Sequence, residues 1–182
     1  MREGHWSVEH LLGYERSLVA ESNGFYPDWA DADTALMPQL AALTASLGVW
    51  NCPTLAIIHI YAGNLEKTGR AVENRRRMVG ALHRAGAHLL AGTDSGIGVT
   101  QPGTSLHDEL AELVASGLTG AEALRTATST AAEFLGAVGE IGVVAPGARA
   151  DLLLVDSNPL ADLSALRTPP MLVLRGKLYE RR

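Results

Sequence analysis

Apolar residues along the chain follow two patterns, helical spacing and short continuous runs. Residues 36–48, LMPQLAALTASLG, and residues 71–87, AVENRRRMVGALHRAGA, carry apolar side chains at the spacing of an amphipathic helix. Short apolar, β-branched or aromatic segments lie beside them at 5–10 (HWSVEH), 49–58 (VWNCPTLAII) and 88–94 (HLLAGTD). The last of these is almost all apolar, as expected of a strand that is covered on both faces. The alternation predicts parallel βα units.

Two further helices are predicted after a loop rich in glycine and proline, with the sequences SLHDELAELVASG and TGAEALRTATSTAAEFLG. Ser105 with Asp108 has the spacing of a capping box for the first, and Thr119 with Glu122 has it for the second. After Gly136 the pattern changes to short β segments separated by Gly, Pro and Asn, which predicts part of a small antiparallel layer. We place a domain boundary near residue 137, between residues 1–136 and 137–182.

Charge and composition exclude several kinds of partner. The net charge is −5 and the sequence pI is about 5.6, so we expect neither a nucleic-acid-binding face nor a membrane-binding stripe. The one dense positive cluster, Arg75 to Arg77, falls in a helical pattern, and we interpret it as a solvated helix face. The single cysteine and the lack of an apolar leader or membrane-length run predict a cytoplasmic protein.

Candidate catalytic side chains follow the predicted strands. In βα architectures the residues at the carboxyl ends of strands point into the site, and three such ends carry His10, the Asn51–Cys52 pair and Asp94. Imidazole and carboxylate are common zinc ligands, and a carboxylate can also act as a general base. Considered separately, His10 could be a hydrogen-bonded core histidine and Asp94 could cap a loop. Cys52 is interpreted as a small buried residue, because no histidine is placed beside it to activate a thiolate.

The remaining histidines do not complete a metal site. His88 begins the strand that Asp94 ends, so about 20 Å of extended chain separates the two residues. His83 and His5 are expected at the surface, and His59 follows the second strand without an assigned role. His107 begins a helix beyond the Asp94 loop, where substrate contact competes with simple packing or capping.

Several motifs occur in the order typical of one enzyme superfamily: SVEHLLGYE, VWNCPTL, LLAGTDSG, PGTSLHDELAELVASGLTGAEALRTATSTAAEFLG and GEIGVVAPGARADLLLVDSNPL. In this order the chain resembles the metal-dependent amidohydrolase superfamily, and most of all its imidazolonepropionase-like and prolidase-like branch. The resemblance implies an α/β fold, namely a (β/α)8 barrel that carries a small β-sandwich. It also implies that His10 matches the metal-ligand histidine of strand six. Asp94 matches the strand-eight aspartate, which binds metal and accepts a proton from the attacking water.

The resemblance covers the C-terminal portion of such a barrel, from strand six to strand eight. A whole barrel takes about 250 residues, and the family's strand-one H-x-H pair, strand-four lysine and strand-five histidine have no counterpart here. The prediction is a hydrolase of C–N bonds in amides, cyclic amides or dipeptides. It would use a divalent metal, zinc by preference, with Asp94 catalytic, His10 and Asp94 as ligands, and His107 and Asn51 contacting a small-molecule substrate. The alternative is a catalytically incomplete fragment. Open sheet edges further predict a homo-oligomer or association with a chain carrying the missing strands.

Overall fold

The computed structural model describes residues 6–22, 26–57, 65–96 and 100–181. Its helices and strands are, in chain order, β1 (Ser7–Glu9), α1 (Glu15–Leu18), α2 (Met37–Ser46), β2 (Trp50–Cys52), α3 (Leu65–Arg84), α4 (Ser105–Ala115), α5 (Gly120–Thr126), α6 (Ser129–Phe134), β3 (Leu152–Leu154), β4 (Met171–Leu174) and β5 (Lys177–Glu180). Short 3-10 helices span Tyr26–Asp31, Thr34–Leu36 and Leu163–Leu166. The chain forms two compact units, Met1–Leu118 and Thr119–Arg182. The sequence change near residue 137 therefore falls inside the second unit.

The first unit contains the predicted parallel strands. β1 and β2 pair in parallel with Val8 opposite Asn51, and a single parallel bridge joins Asn51 to Leu89. In place of the third predicted strand, 88–94, the structure has this one parallel bridge, with bonds from Asn51 N–H to His88 O and from Leu90 N–H to Asn51 O. The helices pack around this sheet through a core that includes Met78, Leu82 and Leu113.

The second unit contains the predicted antiparallel layer. β3 pairs with β4, and β4 pairs with β5, both antiparallel. The segment GEIGVV does not add a strand; it forms a turn with an isolated bridge between Val138 and Ile141. The predicted helix over 119–136 is divided into α5 and α6, because the helical hydrogen bonding is interrupted at Ala127 and Thr128.

Of the two predicted capping boxes, one is confirmed. Thr119 accepts from Glu122 N–H while the Glu122 carboxylate accepts from Thr119 N–H, so each satisfies a free donor of the helix start. The other prediction is wrong, because Ser105 is already the first residue of α4 and its hydroxyl donates to Gln101 O. The described residues contain no helix long and apolar enough to cross a membrane.

Candidate functional site

The ends of the parallel strands bring His10 and Asp94 together. His10 directly follows β1, and its N–H donates to Cys52 O, which extends the ladder by one residue. Its Nε2 lies 3.9 Å from Asp94 Oδ2, and the two side chains are 26% and 38% exposed. The expected convergence of these two groups is therefore present in the structure. Both side chains are within reach of solvent, as contact with a substrate would require.

His10 is oriented by a threonine that the sequence did not single out. Its Nδ1 lies 2.7 Å from Thr54 Oγ1. The Thr54 hydroxyl donates its proton to Pro53 O at 2.8 Å. Thr54 Oγ1 thus lies within hydrogen-bond distance of a carbonyl oxygen and of an imidazole nitrogen. His10 Nε2, on the other side of the ring, faces Asp94.

Three residues at the site have unusual backbone conformations. His10, Thr54 and Asp94 have φ values of 60°, 49° and 51°, in the left-handed region that residues other than glycine rarely adopt. Each such residue costs of order 1–3 kcal/mol and persists only where its surroundings hold it. For a β-branched residue such as Thr54 the conformation is especially unfavourable. His10 and Leu11 (φ 55°) are the central residues of a turn that the Leu12 N–H closes on Glu9 O. Such strain clusters at active sites, so it is the conformations of Thr54 and Asp94 that support a functional role for these strand ends.

A buried arginine holds the His10 backbone. Arg75 of α3 is 1% exposed, donates through Nη2 to His10 O at 2.5 Å, and lies 5.5 Å above the Trp29 ring. The interpretation of the arginine run as a solvated face is thus wrong for Arg75. Arg76 is also partly buried and pairs with Glu112, and only Arg77 is exposed, beside Glu73. The sequence does indicate that Arg75 is buried, because Arg75 lies on the same helix face as the apolar residues Ala71, Met78, Val79 and Leu82.

A buried glutamate holds the segment after Thr54. Glu109 of α4 is fully buried, and its Oε2 accepts the Ala56 N–H at 2.7 Å. Burial raises the pKa of Glu109 to about 8; the Ala56 and Leu55 N–H groups and Arg75 oppose that rise, whereas Glu112 adds to it. Among the described residues, Glu109 Oε1 has no hydrogen-bond partner. Glu109 lies one helical turn from buried Leu113. A carboxylate on the apolar face of a helix would therefore have predicted the burial of Glu109 from the sequence.

The loop after Asp94 is tied by a chain of hydroxyl groups. Ser105 Oγ donates to Gln101 O, so it accepts from Ser95 Oγ at 2.7 Å, and Ser95 in turn accepts from Thr93 Oγ1 at 2.9 Å. Thr100 also donates from Oγ1 to Asp94 O at 3.2 Å. These bonds connect the strand end to the start of α4 and fix the backbone on both sides of Asp94.

Asn51 does not lie where a substrate could reach it. Its side chain is fully buried, with Oδ1 accepting from the Tyr14 hydroxyl at 2.8 Å and Nδ2 donating to Val49 O at 3.0 Å. Burial raises the pKa of Tyr14 to about 12, so the phenol stays protonated and continues to donate. The prediction of substrate contact by Asn51 is therefore not supported, because its amide groups serve the packing of β2.

Cys52 and His107 are the other two candidate residues near the ends of the parallel strands. Cys52 is half-buried, and burial with the nearby Glu9 carboxylate raises the pKa of its thiol, so it remains protonated rather than nucleophilic. Gly92 passes so near Cys52 Sγ that a Cβ at Gly92 would collide with the sulfur. His107 is half-buried in the first turn of α4, and its contact with substrate stays a prediction. His5 and His59 lie outside the described residues.

The described residues contain no group of three or more His, Cys, Asp or Glu side chains that could hold a metal ion. Two potential metal ligands, His10 Nε2 and Asp94 Oδ2, nevertheless face one another at the ends of the parallel strands. A catalytic zinc has three protein ligands and keeps one position for water or substrate. His10 Nε2 and Asp94 Oδ2 therefore fit part of such a ligand set.

Several solved structures are similar to this chain. One is a Xaa-Pro dipeptidase with methionine in its active site, 20% identical with a TM-score of 0.66, matched over 96% of this chain and 40% of that chain. Another is a prolidase complexed with N-methylphosphonate-L-proline, 28% identical with a TM-score of 0.61, matched over 80% of this chain and 38% of that chain. A third is the ochratoxinase of A. niger, 21% identical with a TM-score of 0.68, matched over 96% and 37%.

The chain thus spans about two fifths of the length of these structures. A comparison with curated protein sequences gives no significant match. The family model described as the amidohydrolase family matches residues 3–178. That match extends over nearly all of the 182 residues, and it confirms the resemblance inferred from the motifs. The chain belongs to the amidohydrolase family.

Proposed function

We propose that this chain supplies part of the active site of a metal-dependent hydrolase that cleaves a C–N bond of an amide, cyclic amide or dipeptide. The observation that carries the proposal is the 3.9 Å approach of His10 Nε2 to Asp94 Oδ2 at neighbouring strand ends in a chain of the amidohydrolase family. The match to the family over residues 3–178 does not favour the alternative of a catalytically incomplete fragment.

In this proposal His10 and Asp94 hold a divalent cation, which we take to be zinc, together with donors from outside the described residues. Zinc accepts imidazole nitrogen and carboxylate oxygen at distances of about 2.0–2.2 Å. Two ligands at those distances and at a tetrahedral angle lie about 3.4 Å apart, so His10 Nε2 and Asp94 Oδ2, at 3.9 Å, would move closer by about half an ångström to share one ion. The Thr54 hydroxyl accepts from Nδ1 and leaves the Nε2 lone pair free for the ion.

A bound divalent ion polarises a carbonyl group and makes water more acidic. Asp94 accepts a proton from the water that attacks the carbonyl carbon. The C–N bond then breaks, and Asp94 returns the proton to the leaving nitrogen. His10 would hold the cation through Nε2, with its ring contacted by Thr54 and its backbone held by Arg75.

The substrates to test first are dipeptides ending in proline and N-acyl amino acids. A prolidase 28% identical to this chain is complexed with N-methylphosphonate-L-proline, and a structurally similar Xaa-Pro dipeptidase holds methionine. His107, at the start of α4, is our candidate for contact with the substrate.

We further propose that β1, β2 and the Leu89 segment correspond to strands six to eight of a (β/α)8 barrel. The C-terminal antiparallel sheet would be part of a small β-sandwich. Each strand of a barrel pairs on both sides, so the open edges of this short sheet would be closed by association with a second copy or with a chain carrying further strands. A cytoplasmic location is part of the same proposal.

The test compares the wild-type chain with Asp94→Asn and His10→Gln, and with Asp156→Asn as the control for loss of one exposed carboxylate. Zinc affinity is measured by competition with a chromophoric chelator, and amide hydrolysis by release of free amine from the substrate panel. We expect both site variants to lose at least about tenfold in zinc affinity, since loss even of an outer partner costs 10–100-fold. We also expect Asp94→Asn to abolish hydrolysis. Full hydrolysis by Asp94→Asn, or equal zinc affinity in all four proteins, would refute the proposal.

A further inference from the structure

We infer that Thr54 is a positioning residue that sets the tautomer of His10, with the proton on Nδ1 and the lone pair on Nε2. The inference deepens the proposed function, on which its catalytic meaning rests. Its physical basis is a count of hydrogens. Thr54 Oγ1 has contacts with both Pro53 O, at 2.8 Å, and His10 Nδ1, at 2.7 Å.

One arrangement makes hydrogen bonds of both contacts. A carbonyl oxygen can only accept, so in that arrangement the single hydroxyl hydrogen of Thr54 is directed at Pro53 O. Thr54 Oγ1 then offers only lone pairs to His10, and Nδ1 must carry the hydrogen of that bond. Which imidazole nitrogen carries the proton is set by the hydrogen bond made at the other nitrogen. Here that bond leaves Nε2, 3.9 Å from Asp94 Oδ2, without a proton in the neutral ring.

The geometry is maintained by two buried ionisable side chains. Thr54 is 3% exposed and has a φ of 49°, and His10 has a φ of 60°, so neither conformation is favourable without support. Glu109 holds the segment after Thr54 through the Ala56 N–H, and Arg75 holds His10 through its carbonyl oxygen. One buried carboxyl group and one buried guanidinium therefore fix the two sides of the Thr54–His10 hydrogen bond.

A structural threonine would also pack here, but it would not dictate a tautomer. The surrounding contacts of Thr54 are those of a buried side chain, which valine can fill with nearly the same shape. Only the hydroxyl acceptor distinguishes the two residues. The tautomer of His10 is thus a readout that responds to the proposed role and not to packing.

The experiment measures the ring nitrogens of His10 by long-range 1H–15N correlation in the metal-free 182-residue chain. It is recorded at about pH 8.5, where an ordinary imidazole is neutral. The His10 signals are assigned by their absence in His10→Gln. We expect Nδ1 at the shift of a protonated nitrogen and Nε2 at that of an unprotonated one.

Two variants and one control sharpen the result. Thr54→Val removes the acceptor, and we expect the His10 proton to move to Nε2; Thr54→Ser keeps the hydroxyl and should keep the wild-type tautomer. Thr126→Val, which removes a buried hydroxyl bonded to Ala123 O in the second unit, should leave the His10 shifts unchanged. Because no metal is present, a failure of zinc to bind would refute the proposed function without touching this result. A proton on Nε2 in wild type or in Thr54→Ser, or an unchanged tautomer in folded Thr54→Val, would overturn the inference.

Discussion

Positive φ angles occur at non-glycine residues in both units of the molecule, for different reasons. In the second unit, Arg175 (φ 49°) and Gly176 (φ 79°) form the two-residue loop between β4 and β5. Positive φ at both loop positions is what a type I′ hairpin turn requires. In the first unit, His10 (φ 60°) and Leu11 (φ 55°) are the two central residues of a turn that the Leu12 N–H closes on Glu9 O. Thr54 and Asp94 follow parallel strands, where no hairpin demands this conformation. Turns therefore explain Arg175, His10 and Leu11, and Thr54 and Asp94 are the two cases that the turns do not explain.

The two units also differ in how they are stabilised. Among the described residues, the buried apolar side chains of the second unit are Ala123, Ala132 and Leu166, and all the others lie in the first. The sheet of the second unit exposes leucines on both faces, including Leu172 and Leu178. Strain and buried charge are therefore placed in the unit whose own core can support them. Substitutions that test this difference should have large effects in the first unit and small ones in the second.

The largest effect is expected for Arg75→Met. The substitution keeps much of the side-chain volume but removes the donor to His10 O and the positive charge over the Trp29 ring. It also removes a positive charge that acts on buried Glu109. Removing one partner from a buried charged network costs about 3–5 kcal/mol. Urea unfolding followed by tryptophan fluorescence reports the first unit, since Trp6, Trp29 and Trp50 all belong to it.

The control for this substitution is Arg77→Met, two residues along the same helix. Arg77 is exposed and pairs with Glu73 at 3.1 Å, so its loss should change the free energy of unfolding by less than about 1 kcal/mol. Equal destabilisation by the two substitutions would show that Arg75 does not hold the strand end.

A matched pair of leucines gives the next effect. Leu113 of α4 is fully buried, whereas Leu178 of β5 is 52% exposed. Leu113→Ala should cost about 2–5 kcal/mol through lost burial and the cavity left behind. Leu178→Ala should stay within about 0.5 kcal/mol. Thermal unfolding by circular dichroism measures both; a large loss for Leu178→Ala would mean that the exposed sheet face is covered in solution.

The sequence predicted the proximity of His10 and Asp94 better than it predicted the buried residues that hold them. The apolar pattern placed α2, the parallel strands and the antiparallel layer, and strand ends identified His10 and Asp94, because periodicity and strand polarity are local properties. Arg75 and Glu109 escaped because charged residues are expected at the surface. Their burial depends on partners distant in the chain, His10 and Ala56, which local patterning does not contain.

Glu109 gives a pH-dependent effect of intermediate size. Burial raises its pKa in the folded state from 4.5 to about 8, so the folded protein holds a proton that the unfolded chain has released. Its contribution to stability is therefore fully present below about pH 4.5, declines as the pH rises, and is lost above about pH 8. The slope cannot exceed about 1.4 kcal/mol per pH unit for one proton.

The measurement is the difference in unfolding free energy between wild type and Glu109→Gln from pH 5 to pH 9. Glutamine has no proton to lose, so we expect the variant to gain on wild type as the pH rises, with the gain levelling off above pH 8. Glu133→Gln, an exposed carboxylate on α6, serves as the control for charge removal. A difference that is constant with pH, or that changes in the opposite direction, would contradict the raised pKa of Glu109.

The smallest effect is expected at the capping box of the second unit. Thr119→Ala removes the acceptor for Glu122 N–H and the hydroxyl that donates to the Glu122 carboxylate. Loss of such a cap costs about 1 kcal/mol, which is about a fivefold change in the opening equilibrium. Hydrogen exchange at the first amides of α5, such as Ala123 N–H, should accelerate by that factor, while amides of α3 should not respond. Thr119→Ser keeps the acceptor and should exchange as wild type does; equal acceleration in the serine and alanine variants would assign the stabilisation to the threonine methyl group instead of the cap.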